Sequence, residues 1–165
     1  MKRAVWVRAA LILAVTILLA GCAKSDPIPQ KADFSFPLPE GYSLADETEE
    51  DCVIADKDGR AVGGFAVTKL RRRDLKDKNF KNILRYLQNE FHKTNNVEFM
   101  AMHGEDEKGP FVVVTMTRHS DDSNEQRHFN HTFFEHGSMV YHLWLDCDLL
   151  DEEETHEIKS TVFSE

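Results

Sequence analysis

The chain has 165 residues, of which 41% are hydrophobic and 30% are charged, and its formal net charge at pH 7 is −9. This length and apolar content are typical of one folded domain with a buried core. An acidic chain repels nucleic-acid phosphates, so the composition excludes nucleic-acid binding as the main role.

The N-terminus has the three parts of a secretory signal. Three basic residues lie within residues 1–8, residues 9–20 are almost entirely apolar, and small residues follow. The apolar run is shorter than the about 20 residues that a transmembrane helix needs. The sequence therefore predicts a signal peptide over residues 1–21.

The end of this segment, Leu19-Ala20-Gly21-Cys22, resembles the lipobox of bacterial lipoproteins. The resemblance implies that Cys22 is acylated, for example with palmitate, and becomes the first residue of the mature protein. More than one acyl chain is sufficient for stable membrane anchoring. We therefore expect a lipid-anchored, extracytoplasmic protein of the cell envelope, attached to the cell membrane or the outer membrane.

A short tether and a folded domain follow the lipobox. Residues 22–33 contain two prolines and few apolar residues, which is typical of an extended linker, and residues 34–165 are predicted to form one globular domain. The domain opens with an alternating apolar run near Phe34–Tyr42. Two strand-like runs, Cys52–Ala55 and Arg60–Leu70, flank a glycine-containing turn and predict a β-hairpin.

The rest of the domain alternates one clear helix with further strands. Apolar residues recur at helical spacing over Asp77–Lys93, where Asp77 or Asn79 is the expected N-terminal cap. Acidic residues later open a short C-terminal helix that ends near Phe163. Between these helices lie four strand-like runs separated by polar turns: Val97–His103, Phe111–Arg118, Arg127–Glu135 and Met139–Asp146.

Strands that follow one another through short turns predict an antiparallel sheet with helices packed against it. We expect an α+β domain with about five to six strands, a hairpin plus a meander. The order of elements over Phe34–Phe163, together with its opening run Phe34–Tyr42, resembles the PsbP-like fold, named after an extrinsic photosystem II subunit. This resemblance implies a binding or assembly module and transfers no functional residue.

Two cysteines remain once Cys22 carries lipid. The cell envelope permits disulfides, so Cys52 and Cys147 form one possible pair. The alternative is that both are unpaired thiols that pack as small apolar side chains.

Histidines are concentrated on the predicted meander, which contains six of the eight. A two-residue turn at His136-Gly137 would set His131 opposite His142, but we expect a three-residue turn at His136-Gly137-Ser138, because this register gathers apolar side chains on one face of the sheet. It places His119, His128 and His142 together on the polar face. Histidine is the commonest metal ligand at neutral pH, so zinc or copper could bind there. The alternatives are solvated histidines without a metal, or a pH sensor.

Basic residues are concentrated near the predicted junction between strand and helix. Such a cluster attracts an acidic protein partner or anionic lipid headgroups, or is simply solvated. No G-x-S-x-G nucleophile motif is present. We therefore predict a non-catalytic binding or envelope-assembly module without a cofactor, with a metal-binding lipoprotein as the alternative. After Lys69, the predicted contact residues are Arg71, Arg72, Arg73, Lys76, Lys78, Lys81 and Arg85.

Overall fold

A seven-stranded antiparallel sheet forms the centre of the domain in a computed structural model, which describes residues 32–91, 97–119 and 126–163. The predicted α+β class with an antiparallel sheet is confirmed, but the predicted count of five to six strands is wrong. Across the sheet the strand order is β1-β2-β3-β7-β6-β5-β4. In chain order the elements are β1 (Ser43–Ala45), β2 (Asp51–Ala55), β3 (Ala61–Thr68), α1 (Arg72–Leu75), α2 (Lys81–Phe91), β4 (Val97–Asp106), β5 (Gly109–His119), β6 (Gln126–His136), β7 (Met139–Asp146) and α3 (Glu152–Phe163).

The segment before β1 is not a strand, although its apolar residues alternate. Pro37 and Pro39 lack the N–H group that a sheet ladder requires, so this segment does not join the sheet. It packs over one face of the sheet instead, where the ring of Phe36 stacks on Phe65 with 4.5 Å between centroids. The first strand is therefore the short β1.

Both faces of the central strands of the sheet are covered, which differs from the single apolar face that the sequence predicted. On one face, α3 and the N-terminal segment bury a cluster that includes Phe65, Leu143 and Ile158. On the other face, α1 and α2 bury a second cluster that includes Leu87 and Phe133. Since β6 and β7 lie between two layers, His142, which was predicted on a polar face, is buried.

The turn between β6 and β7 is shorter than predicted. His136 pairs with Met139, which leaves a two-residue turn at Gly137-Ser138. Gly137 has a φ of +63°, a left-handed conformation that such tight hairpin turns require. The ladder is therefore shifted from the predicted register and places Phe133 opposite His142.

Helix α2 begins later than its apolar pattern predicts. Neither Asp77 nor Asn79 is the N-terminal cap, because the helix starts at Lys81, but the Asp77 carboxylate accepts hydrogen bonds from the backbone N–H groups of Asn79 (3.1 Å) and Lys81 (3.2 Å). Phe80 has a φ of +53°, so regular helix starts only after it. No helix in the described ranges has the length and apolar content to cross a membrane. The predicted signal peptide and most of the tether, with Cys22, lie outside the described residues.

Candidate functional site: a groove beside helix α2

A groove of about 630 Å³ lies between α2 and the segment that joins β3 to α1. Its floor includes Thr68 and Tyr86. Charged side chains form its walls and divide into two groups. Four are cationic, from Lys69, Arg71, Arg73 and Arg85, and four are carboxylates, from Glu50, Asp51, Asp74 and Glu90.

Helical spacing aligns one wall of the groove. Asn82, Arg85, Tyr86 and Asn89 are three or four residues apart on α2, so they lie on one face of the helix. The opposite wall begins where β3 ends. There the Thr68 hydroxyl donates a hydrogen bond to the Val140 carbonyl oxygen (2.9 Å). The groove is thus formed where a strand end meets a helix face.

A buried carboxylate fixes the geometry at the basic end. Asp74 in α1 accepts hydrogen bonds from the backbone N–H of Arg71 (2.7 Å) and from the side-chain amide of Asn82 (2.8 Å). These two bonds connect the β3–α1 segment to α2. Because a lost partner would leave buried polar groups unsatisfied, Asp74 holds the two walls together.

The carboxylates of the groove are divided between its two ends: Asp74 lies at the basic end, and Glu90 and Asp51 lie near Tyr86. Arg85 precedes Glu90 by five residues, which corresponds to about 7.5 Å along the axis of α2. Burial raises the pKa of the Tyr86 hydroxyl, and the negative charges of Glu90 and Asp51 raise it further. These two carboxylates therefore form the acidic end of the groove, around Tyr86.

The structure separates the predicted basic segment into groove and non-groove residues. Of the seven predicted contact residues, only Arg71, Arg73 and Arg85 line the groove. Arg72 points elsewhere and forms a salt bridge with Glu135 (2.9 Å). The remaining three, Lys76, Lys78 and Lys81, are exposed outside the groove.

The cations of the groove are not held in ion pairs. Among the described residues, Lys69, Arg71, Arg73 and Arg85 form no salt bridge. An anionic group that binds one of these four side chains would therefore displace no salt-bridged carboxylate. This arrangement favours the binding of an acidic group.

The three histidines predicted as metal ligands do not meet. The register places His119 and His128 on the α3 face, whereas His142 lies on the α2 face and is 1% exposed. His128 Nδ1 is 2.9 Å from an Asp148 carboxylate oxygen, and His119 Nε2 is 3.8 Å from Glu98. Within the described ranges, no group of three or more His, Cys, Asp or Glu side chains is arranged to hold a metal ion.

A buried histidine pair lies beneath the groove, and the sequence did not predict it. His131 Nδ1 and His142 Nε2 are 2.8 Å apart, and His142 Nδ1 is 3.4 Å from the Tyr86 hydroxyl. Burial lowers the pKa of His131 to about 3. Burial, and then the proximity of His131, lowers the pKa of His142 well below its usual range. Both rings are therefore neutral at pH 7.

The two described cysteines are free thiols, so of the two alternatives the unpaired one is found and the possible disulfide is not formed. Cys52 is on β2 and Cys147 follows β7, and β3 separates these two strands. Two strand spacings correspond to about 9.6 Å, which is longer than the about 6.8 Å between Cα atoms that a disulfide permits. Burial raises the pKa of Cys52 to about 11, so this thiol is also a poor nucleophile.

A comparison with models of known protein families finds none that matches this chain. A comparison with curated proteins also finds no match. A functional assignment therefore depends on the sequence motifs and on the geometry of the groove.

Proposed function

We propose that this protein is a lipid-anchored, extracytoplasmic binding or envelope-assembly module with a PsbP-like domain and no catalytic role. The lipobox supports the anchor at Cys22, and the order of elements supports the fold assignment. The groove beside α2 is the proposed contact site, and its partner is an envelope protein that presents an acidic group.

The observation that carries this proposal is the set of four groove cations without salt bridges among the described residues. Three members of this set, Arg71, Arg73 and Arg85, are arginines, one of the residue types most enriched among the residues that dominate protein interfaces. A partner that places a carboxylate at the basic end gains attraction and correct orientation together. The acidic end around Tyr86 would then select against a partner that is acidic along its whole length.

The anchor is tested by replacing the acylated residue. Cys22→Ala should release the protein from the membrane fraction and abolish incorporation of a labelled fatty acid. Cys52→Ala is the matched control and should retain both properties. A Cys22→Ala protein that remains labelled and membrane-bound would contradict the lipoprotein assignment.

The groove is tested by site-specific photo-crosslinking of the full chain in its native cells. A photoreactive residue at the exposed groove position Asn89 should give a discrete product with one envelope protein. The double reversal Arg71→Glu/Arg73→Glu should reduce this product at least tenfold, because it removes two of the four groove cations.

The same segment supplies the control for that experiment. Lys76→Glu/Lys78→Glu reverses the same number of charges outside the groove and should leave the product unchanged. Equal loss with both double variants would show that general charge, as in adsorption to anionic lipid, explains the contact. An unchanged product with both would remove the groove from the proposal.

A further inference from the structure

The outer edge of β4 is long and unprotected. β4 is the last strand of the sheet and pairs with β5 over ten consecutive residues without a bulge, from Val97 to Asp106. In an edge strand of this kind, every second residue turns its backbone N–H and C=O away from the sheet. No hydrogen bond from elsewhere in the described chain reaches these outward groups. The opposite edge, β1, is only three residues long.

Edge strands usually carry features that prevent pairing with another chain, and β4 has only acidic residues near its ends, Glu98, Glu105 and Asp106. Such features include proline, lysine, bulges and short length. β4 contains no proline, no lysine and no arginine, and its ladder is regular. The strand is therefore open to the addition of a further strand.

An apolar strip lies beside this edge. Met100 and Met102 are 69% and 57% exposed, and they are the large hydrophobic side chains most open to solvent in the described ranges. Both lie on the α3 face of the sheet, opposite Thr115 and Val113 of β5. Gly104 follows Met102 on this face of β4. The strip continues there with Phe111 of β5, because the Phe111 ring covers the backbone of Gly104.

Acidic residues flank the strip at both ends. Glu98 precedes the two methionines on the same face, with an 81% exposed side chain, and Asp106 lies at the other end of the strand. Both carboxylates lie on the same face as the two methionines. Opposite charges across a strand pair are stabilising, so the edge favours a segment with basic ends.

We propose that the edge of β4 docks an extended segment of a partner protein, which joins the sheet as an eighth, antiparallel strand. Apolar side chains of the segment cover Met100 and Met102, and basic side chains face Glu98 and Asp106. Main-chain hydrogen bonds supply affinity in this mode, and the alternating side chains supply specificity. This inference does not depend on the groove.

A synthetic nonapeptide, Lys-Thr-Val-Thr-Ile-Thr-Ile-Thr-Lys with blocked termini, is the probe. In antiparallel register its two lysines face Asp106 and Glu98, and its two isoleucines face Met102 and Met100. With the full chain in detergent we expect saturable binding by calorimetry. We also expect slower hydrogen exchange at alternate amides of β4, because those N–H groups become bonded.

Backbone methylation distinguishes strand addition from side-chain contact alone. One peptide carries N-methyl groups at positions 4 and 6, and the other carries them at positions 5 and 7. Only alternate N–H groups of an added strand face its neighbour, so one peptide should lose binding and the other should retain it. Equal behaviour of the two peptides would overturn the proposal.

Two protein variants complete the test. Met100→Thr/Met102→Thr should weaken binding at least tenfold without affecting the fold, because both side chains are exposed. Arg71→Glu/Arg73→Glu in the groove should leave binding of the peptide unchanged. Failure of the strand-docking proposal can therefore be distinguished from failure of the proposed groove function. Absence of saturable binding would overturn the proposal. The proposal would also be overturned if the unchanged chain self-associates and the two threonine substitutions abolish that self-association, because the edge would then bind a second copy of this chain.

Discussion

The buried histidine pair makes the stability of the domain dependent on pH. His131 and His142 have folded-state pKa values below the unfolded value of about 6.5, so the unfolded chain binds more protons in mild acid. Well above pH 6.5, the two histidines therefore do not lower the free energy of unfolding. The free energy of unfolding decreases as the pH falls below 6.5, and this decrease ends when the folded-state pKa is reached, about 3 for His131.

The magnitude follows from the proton linkage of each ring. A histidine that titrates at 6.5 in the unfolded chain and remains neutral in the folded domain loses about 2 kcal/mol of stability between pH 7 and pH 5. Two such residues lose about 4 kcal/mol together. That is a large part of the roughly 5–15 kcal/mol by which typical domains are stable.

Urea unfolding at a series of pH values, followed by circular dichroism, measures this loss. His131→Gln keeps a hydrogen-bonding side chain of similar size but removes one titrating ring, so its loss between pH 7 and pH 5 should be smaller by about 2 kcal/mol. The exposed His156→Gln is the matched control and should show the full loss. If His131→Gln and the unchanged protein lose the same stability, the buried pair does not control the pH dependence.

Three further predictions concern metal binding, the groove and the sheet. A native mass spectrum of the chain with one equivalent of zinc or copper should show no stable adduct, since His142 lies on a different sheet face from His119 and His128; a retained single metal ion would restore the metal-binding alternative. Asp74→Ala should lower the free energy of unfolding by about 1–3 kcal/mol through the lost bonds, whereas the exposed Asp58→Ala should not change it. Gly64→Ala should cost about 1–3 kcal/mol by urea unfolding, because its Cβ would lie 2.5 Å from the Cys52 carbonyl oxygen; stability equal to that of the unchanged protein would refute this close approach.

Local patterns in the sequence predict the elements of this domain better than their register. Met139–Asp146 has the predicted bounds, because turn residues mark its start and its apolar side chains support a strand on both faces. The β6–β7 register was wrong since both faces are buried there, so the apolar pattern no longer distinguishes one pairing from its neighbour. The turn conformation at Gly137 decides between them, and no periodicity encodes it.

The groove could be predicted only in part for a related reason. The concentration of basic residues is visible in the sequence. Which of their side chains point into the groove depends on the geometry of the helices. Arg71 and Arg73 enter the groove while Arg72, between them, bonds Glu135. The carboxylates of the opposite end come from β2 and its preceding turn and from α2, segments that only the folded sheet brings together. A charge count along the chain therefore overstates the positive character of the site.

The two proposed contact surfaces are far enough apart to act independently. The groove adjoins β3, and the docking edge is β4, with three strands between them. Four strand spacings correspond to about 19 Å, so one partner that used both surfaces would need at least about six extended residues between its contacts. Combining Arg71→Glu/Arg73→Glu with Met100→Thr/Met102→Thr decides between one partner and two. For a single partner, the combined variant should weaken capture far more than either pair alone, because linked contacts reinforce each other. For two partners, each pair of substitutions should abolish one interaction and leave the other intact.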